Sequence, residues 1–376
     1  MRLRKSRKPI QSLTAASPVV GALALPDFAS LRPGKSNEFS GWFFLSDGAH
    51  VTAVEVAYGD EILGSCQYGL QRPDVFAKYP QWEKANYSGF TGSVILPQEL
   101  VLPIQITVCD ERGRRHHAFE INTRYVAALK EPRPEYLVNI NRSIHPACEM
   151  HRRLRDQASE PRATEAYFQS AEFLVYNLSR FFDEQGIRTT EKTLLDFACG
   201  YGRFPRYFVN LFKEVTVSDL EPEMLNFCLR EFGAAGFLSS ASANVVGNRQ
   251  ARHDVVHCFS LFTHLNDRQW REWFKALFNL VANQGYLIIS AQSHELLARL
   301  TLAVKTEDGQ QPEFFFHPSN ETEGRLDTAT YGITVIRDEY VRKVVSTIKG
   351  IQVVNHYQMG TFDLYHDIYI FQKTLA

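Results

Sequence analysis

The residues best placed to do chemistry are Gly200 and Gly202, in the run Leu194-Leu-Asp-Phe-Ala-Cys-Gly-Tyr-Gly-Arg203. Two glycines one residue apart let the backbone take positive φ and approach a ligand closely. The run lies between an apolar, strand-like stretch and a helical stretch that opens with Pro205. A helix start leaves backbone N–H groups without intrahelical partners. Asp219 ends the next apolar run, about 20 residues beyond the turn, where a carboxylate accepts hydrogen bonds from ribose hydroxyls. Turn, helix and acid together predict a nucleoside-bearing ligand. The plain structural alternative is a loop with two turn glycines and a capping aspartate.

The elements around this turn follow from the hydrophobic pattern. Residues 194–198 read as a strand, and Pro205–Leu211 as the start of a helix, with proline tolerated in its first turn. Glu214–Ser218 is a second strand, Pro222–Phe232 a second helix, Asp254–Phe259 a strand, Arg268–Val281 a helix and Gly285–Ser290 a strand. Such alternation predicts an α/β domain with a parallel sheet covered by helices on both faces. The runs near Ile351–His356 and Asp367–Gln372 have no helix between them and are expected to close the sheet as an antiparallel pair.

Earlier in the chain the pattern is different. Phe39–Leu45, Val51–Tyr58, Gly92–Leu96 and Ile104–Cys109 are short β-branched or aromatic runs punctuated by turn residues, so residues 31–127 are expected to form a small all-β sandwich. Apolar residues at helical spacing (Tyr167, Ala171, Leu174, Val175, Leu178, Phe182) predict a helix over Ala163–Phe182, within a helical connector spanning 128–190. Residues 191–376 form the α/β domain. Residues 1–30 are basic at first, then interrupted by Pro9, Pro18 and Pro26, and are expected to be a flexible tail rather than a signal peptide.

The bulk composition narrows the function classes. The 376 residues are 44% hydrophobic with a formal net charge of −1, which suits a folded multidomain chain and not a dedicated nucleic-acid binder. The six cysteines form no C-x-x-C pair, so no zinc ribbon is expected, and scattered thiols suit a cytoplasmic protein. No apolar run reaches the roughly 18 residues that span a bilayer. No histidine pair has metal-ligand spacing, and no metal is expected.

The run Asp196-Phe-Ala-Cys-Gly-Tyr-Gly202 resembles the first motif of class I S-adenosylmethionine (SAM)-dependent methyltransferases: an acid, any residue, then Gly-x-Gly-x-Gly. Ala198 stands where the family has its first glycine. The resemblance implies a Rossmann-like domain with a mostly parallel seven-stranded sheet, and SAM as cofactor. It places Asp196 near the methionine end, Ala198, Cys199, Gly200 and Gly202 along the cofactor, Asp219 on the ribose, and Leu220 and Met224 beside the adenine. Ser260 joins this cofactor-binding set. The family's acid after the third strand is not evident; Ser240-Ala-Ser-Ala-Asn244 lies there instead. A nicotinamide dehydrogenase also uses a glycine turn, but Gly200-Tyr-Gly-Arg-Phe-Pro205 lacks its third glycine.

Methyl transfer to a hydroxyl needs a base. The stretch Phe259-Ser-Leu-Phe-Thr-His-Leu265 resembles a run found beside the cofactor in related methyltransferases, which makes His264 the first catalytic candidate. His294 follows the next strand on the crevice side and is the second. His317, His366 and Asp367 are weaker ones, and each of these histidines also has a purely structural reading. Arg203 either pairs structurally or holds an acceptor carboxylate. The long insertion ending at Tyr331-Gly332 is expected to form a lid.

The stretch Gly69-Leu-Gln-Arg-Pro-Asp-Val75 with Tyr79-Pro80 and Ser88-Gly-Phe90 resembles a β-sandwich module attached to bacterial glycosyltransferases and methyltransferases of polysaccharide biosynthesis. It implies a carbohydrate acceptor, O-methylated on a sugar hydroxyl, with a glycosyltransferase as a candidate partner. The same domain would serve a small metabolite, a lipid or a protein. A silent scaffold that binds glycan is the non-enzymatic alternative.

Overall fold

The computed structural model describes residues 19–25, 31–100, 102–121, 123, 134–156, 160–293, 312–319, 327–358, 363 and 366–374. Candidate base His294 lies outside them.

The first region is antiparallel. Its strands are β1 (Val19–Leu25), β2 (Ser36–Leu45), β3 (Val51–Tyr58), β4 (Glu61–Leu70), β5 (Gly89–Ile95), β6 (Ile104–Asp110) and β7 (Arg115–Ile121), with a short helix α1 (Pro73–Lys78). They pair in the order β1-β2-β5-β4-β3-β6-β7. Strand β4 carries the path across: Glu61–Cys66 face β3, and Gln67–Leu70 face β5. The sandwich expectation goes further than this pairing, which is one continuous antiparallel path. Alternating inward residues such as Ile104, Ile106 and Val108 fill its core.

One correction falls here. Val19–Leu25 was expected within a flexible tail, yet it pairs with β2 from Val19↔Leu45 to Leu25↔Ser40. The flanking prolines hid a run of small and apolar residues that offers β2 a partner for its backbone groups.

Helices α2 (Glu135–Val138), α3 (Glu149–Arg155) and α4 (Glu160–Glu184) follow. The apolar face of α4 buries Tyr167, Ala171, Leu174, Leu178 and Phe182 in one core with Tyr207, Phe208 and Val217 of the next region. Alternation then begins: β8 (Thr193–Phe197), α5 (Pro205–Leu211), β9 (Glu214–Asp219), α6 (Pro222–Phe232), β10 (Ala235–Leu238), α7 (Ala243–Gly247), β11 (His253–Cys258), α8 (Asp267–Asn279) and β12 (Val281–Ser293). After these come β13 (Phe314–Pro318), β14 (Gly332–Ile336), α9 (Asp338–Val345), β15 (Ile351–Tyr357) and β16 (Asp367–Lys373).

Strands β10-β9-β8-β11-β12 run parallel in that order. Strand β16 lies antiparallel against β12, and β15 antiparallel against β16, the expected closing pair. The sheet is nonetheless mixed and nine-stranded, not a mostly parallel seven. The two extra strands come from the long insertion: β14 extends the end of β12 through Gln292↔Val335 and Ser293↔Ile336, and β13 pairs with β14.

The chain leaves β8 for β9 on one side, while β11 joins on the other. Strand order reverses there, and the crevice above the strand ends is where such sheets bind ligands. Phe197 is level with Ser218 on β9 and Cys258 on β11, so the three following loops meet at one rim. Among the described residues no helix is long and apolar enough to cross a membrane.

Candidate active site

The rim encloses a cavity of about 360 Å³, lined among others by Phe197, Ala198, Asp219, Leu220, Met224, Ser239, Ser260, His264, Trp273 and Tyr331. Its floor is the turn after β8. Ala198 has φ 59° and Ser260 φ 66°, both left-handed although neither is glycine. Such a conformation costs an L-residue roughly 1–2 kcal/mol, and non-glycine residues held there cluster at functional sites.

Asp219 ties the floor to the wall. Its Oδ2 accepts the Gly200 N–H (2.8 Å) and its Oδ1 the Glu221 N–H (3.0 Å). Each carboxylate oxygen keeps a lone pair for a further donor. Burial raises the Asp219 pKa above the ordinary carboxylate value, and the nearby Glu221 charge adds to this. The N–H groups of Glu221, Gly200 and Leu220 pull the other way. Strand pairing sets Leu238 beside Asp219, and Ser239 N–H donates to the Asp219 carbonyl (2.8 Å), which brings Ser239 and Ser240 to the same wall.

His264 lines the same cavity. Its Nδ1–H donates to the Gly332 carbonyl (2.8 Å), and its ring stacks on Tyr331 at 4.6 Å and 9°. A carbonyl only accepts, so Nδ1 carries a proton. Three further contacts lace this segment to the loop after β11. Gly332 N–H donates to His264 O (2.8 Å), Asn266 Nδ2 to Ala329 O (3.1 Å) and Thr334 Oγ1 to Leu265 O (2.5 Å). Asn266 also caps α8, accepting from Gln269 N–H (3.0 Å), a contact worth about 1 kcal/mol.

Residues 194–285 match a family model described as a methyltransferase domain. This segment is a methyltransferase domain. The enzyme transfers methyl groups, and its methyl donor is SAM. No curated protein matches the chain. A SAM-dependent methyltransferase of Clostridium acetobutylicum is 15% identical, with 55% of this chain and 92% of that chain covered and a TM-score of 0.41. Magnesium protoporphyrin IX methyltransferase of Synechocystis, with S-adenosylhomocysteine (SAH) bound, is 14% identical, with 59% and 92% covered and a TM-score of 0.41. At these values the likenesses decide nothing further.

The methyltransferase domain fits its donor at this cavity by the chemistry of its walls. A carboxylate, Asp219, shares the lining with apolar Leu220 and Met224 and with two left-handed residues, Ala198 and Ser260. Of the residues singled out in the sequence, Ala198, Asp219, Leu220, Met224, Ser260 and His264 line the cavity. Asp196, Cys199, Gly200 and Gly202 do not line it. Asp196 and His257 are register partners on parallel strands, so their side chains share a face, and His257 Nδ1–H donates to Asp196 Oδ1 (2.6 Å) in full burial. Asp196 Oδ2 is buried without a hydrogen-bond partner. Cys199 turns inward, its Sγ 3.6 Å from the Gly200 carbonyl oxygen, and contact with the Cys228 thiol and burial push its pKa far up, so it stays a thiol.

Arg203 lies over Phe204 and Phe259, at 4.6 and 4.9 Å from the ring centres, and donates to Ser170 Oγ (3.4 Å). These are structural contacts. His317 is exposed on β13, and His366 contacts Asp363 (3.2 Å) and the edge of Phe259. Glu149 of α3, Gln269 and Trp273 of α8, and Thr330 line the cavity and carried no signal in the sequence. No local pattern marks a residue that reaches the cavity from another part of the chain. Among the described residues no cluster of histidine, cysteine or carboxylate suits a metal.

Proposed function

We propose that the enzyme O-methylates a carbohydrate hydroxyl, with His264 as the general base. The observation that carries this reading is that Asp219 and His264 line one and the same cavity. Asp219 accepts from the ribose hydroxyls of the donor, Leu220 and Met224 cover its adenine, and the backbone from Ala198 to Gly202 backs its amino-acid end. When bound, the donor supplies an electrophilic methyl group on a cationic sulfur. His264 takes the acceptor hydroxyl proton on Nε2 as the oxygen–methyl bond forms. The Gly332 carbonyl and the Tyr331 ring hold the imidazole in place for this, which is the positioning that such catalysis depends on.

The acceptor enters beside Thr330 and Tyr331. Their hydroxyl and aromatic groups suit a sugar, whose faces stack on rings while its hydroxyls hydrogen-bond. The resemblance of residues 69–90 to a polysaccharide-pathway module supports the same class, with a cytoplasmic site of action and a glycosyltransferase partner. In this reading the β region of 31–127 is an accessory module, 128–190 a connector and 191–376 the catalytic domain.

The test incubates the protein with methyl-labelled SAM and fractionated cell extract. Label in glycan or sugar-precursor fractions, lost with His264→Gln, is the expected result. Label in lipid, protein or other small molecules overturns the acceptor. No label and no calorimetric SAM binding would leave the scaffold alternative in its place.

A further inference from the structure

The cavity has a one-sided charge. Among the described residues three carboxylates line it, from Glu149, Asp219 and Glu221, and no lysine or arginine does. Asp219 and Glu221 come from the end of β9, inside the matched methyltransferase segment. Glu149 comes from α3, well outside it. The nearest cation to Glu149 is on its own helix: Arg153 donates to Glu149 Oε1 from Nε (3.2 Å) and Nη2 (2.8 Å). That guanidinium is half exposed, with 49% of its side chain accessible, so water screens much of what it contributes. His264 and Tyr331 are the other ionisable groups among the described lining residues.

We propose that Glu149 is an electrostatic specificity residue of the donor cavity, whose carboxylate favours the cationic donor over its uncharged-sulfur product. The proposal rests on the SAM reading of the cavity. Before transfer the donor carries a sulfonium charge; afterwards SAH has a neutral thioether. The remaining groups of the two molecules are the same. An anionic wall therefore attracts the donor more than the product. At separations of several ångströms in a partly wet cavity, one carboxylate is worth roughly a three- to tenfold preference. The raised pKa of Asp219 fits this picture, because a carboxylate whose charge is penalised by burial, and further by the Glu221 charge, gains from a cation beside it. Product that is held less tightly leaves sooner, and the connector helix thereby helps turnover without touching the acceptor.

Calorimetry of SAM and SAH separately, on the full chain, tests this. Glu149→Gln keeps the shape and removes the charge, and it should lower the SAM-to-SAH affinity ratio about three- to tenfold while SAH affinity stays within about twofold. Arg153→Gln should move the ratio the other way, because it unmasks the carboxylate. The difference between wild type and Glu149→Gln should shrink at high salt. Equal losses for both ligands would mean that Glu149 holds a shared group or merely supports α3, and would overturn the proposal, as would an unchanged ratio. Parallel shifts in the two variants would also overturn it. Glu149→Asp, which retains the charge, should keep most of the wild-type ratio and guards against a folding artefact. If wild type binds neither ligand, the donor reading itself fails, which is a separate result.

Discussion

Gly202 and Gly200 are one residue apart, share the left-handed region and yet should respond to the same substitution in opposite ways. Gly202 has φ 72°, and a Cβ there would meet Phe232 Cε2 at 2.1 Å and Cys228 Sγ at 3.1 Å. Gly202→Ala therefore carries a left-handed cost of about 1–2 kcal/mol and an overpacking cost of about 1–3 kcal/mol. The smaller entropy of the unfolded alanine chain offsets about 0.4–1 kcal/mol. The net loss is about 2–4 kcal/mol, and at roughly 2–4 °C per kcal/mol the Tm should fall by about 5–15 °C. Gly200 has φ 53° and nothing within 4 Å of the added methyl. Gly200→Ala should thus cost no more than about 1.5 kcal/mol of stability. Gly200 does not itself line the cavity, but its methyl would project into open space at the turn along which the donor is proposed to lie, and SAM affinity should drop at least about tenfold, or 1.4 kcal/mol. Thermal unfolding followed by circular dichroism reads the first effect, and calorimetry reads the second. Phe232→Leu in the Gly202→Ala background should recover part of the lost stability, since the two side chains compete for one space. A Gly202→Ala protein melting within about 2 °C of wild type would refute the packing argument. Unchanged SAM affinity in Gly200→Ala would remove the donor from the glycine turn.

Other consequences are equally direct. Asp219→Asn should cost donor affinity at least about tenfold by calorimetry, because an amide offers one oxygen where the carboxylate uses two; full affinity would exclude Asp219 from the site. Because burial raises the Asp219 pKa, the ionised carboxylate should be lost at a higher pH than an ordinary one as pH falls, and donor affinity should weaken along that limb; a flat profile down to pH 4 would contradict this. The sign for folding is opposite. Protonating a group whose pKa is raised in the folded state relieves its burial, so Asp219→Asn should lessen this stabilisation by acid, read as Tm against pH. His264→Gln should bind SAM as wild type does and lose about 10²–10⁴ in turnover, and unaltered turnover would end its role as base. Ala198→Gly relieves the left-handed strain at some entropic cost and should raise Tm by about 1–2 °C; a fall of that size would mean the methyl is needed.

What the sequence made legible was local. The glycine turn, the acid at the end of the next strand and the two helices announce themselves by spacing, because strand, turn and helix each impose a period on neighbouring residues. The left-handed backbone at Ala198 was not legible: an alanine there reads as a mild replacement, whereas the structure holds it at φ 59°. The burial of Asp196 was not legible for a similar reason. Its position in the motif is visible, but its partner His257 is 61 residues away and is fixed by strand register, which no local pattern reveals. Val19–Leu25 was hidden by its flanking prolines, since a strand that is short and marginal alone gains its stability from β2.

The same distinction separates the two walls of the cavity physically. The proposed donor wall is built mainly from β8, β9 and the turns that leave them, so most of its geometry follows from one parallel pair. The proposed acceptor wall joins His264 to Tyr331 and Gly332 through one isolated backbone bridge among the described residues, Leu265↔Tyr331, and a handful of hydrogen bonds between residues 68–69 positions apart. Each such bond contributes only about 0.5–1.5 kcal/mol net. Changes in 327–334 should therefore alter what is methylated, and how fast, while leaving donor affinity intact. On the proposed reading, variation in acceptor is thermodynamically cheap on this scaffold, because the segment proposed to select it is joined to the candidate base His264 and not to the glycine turn.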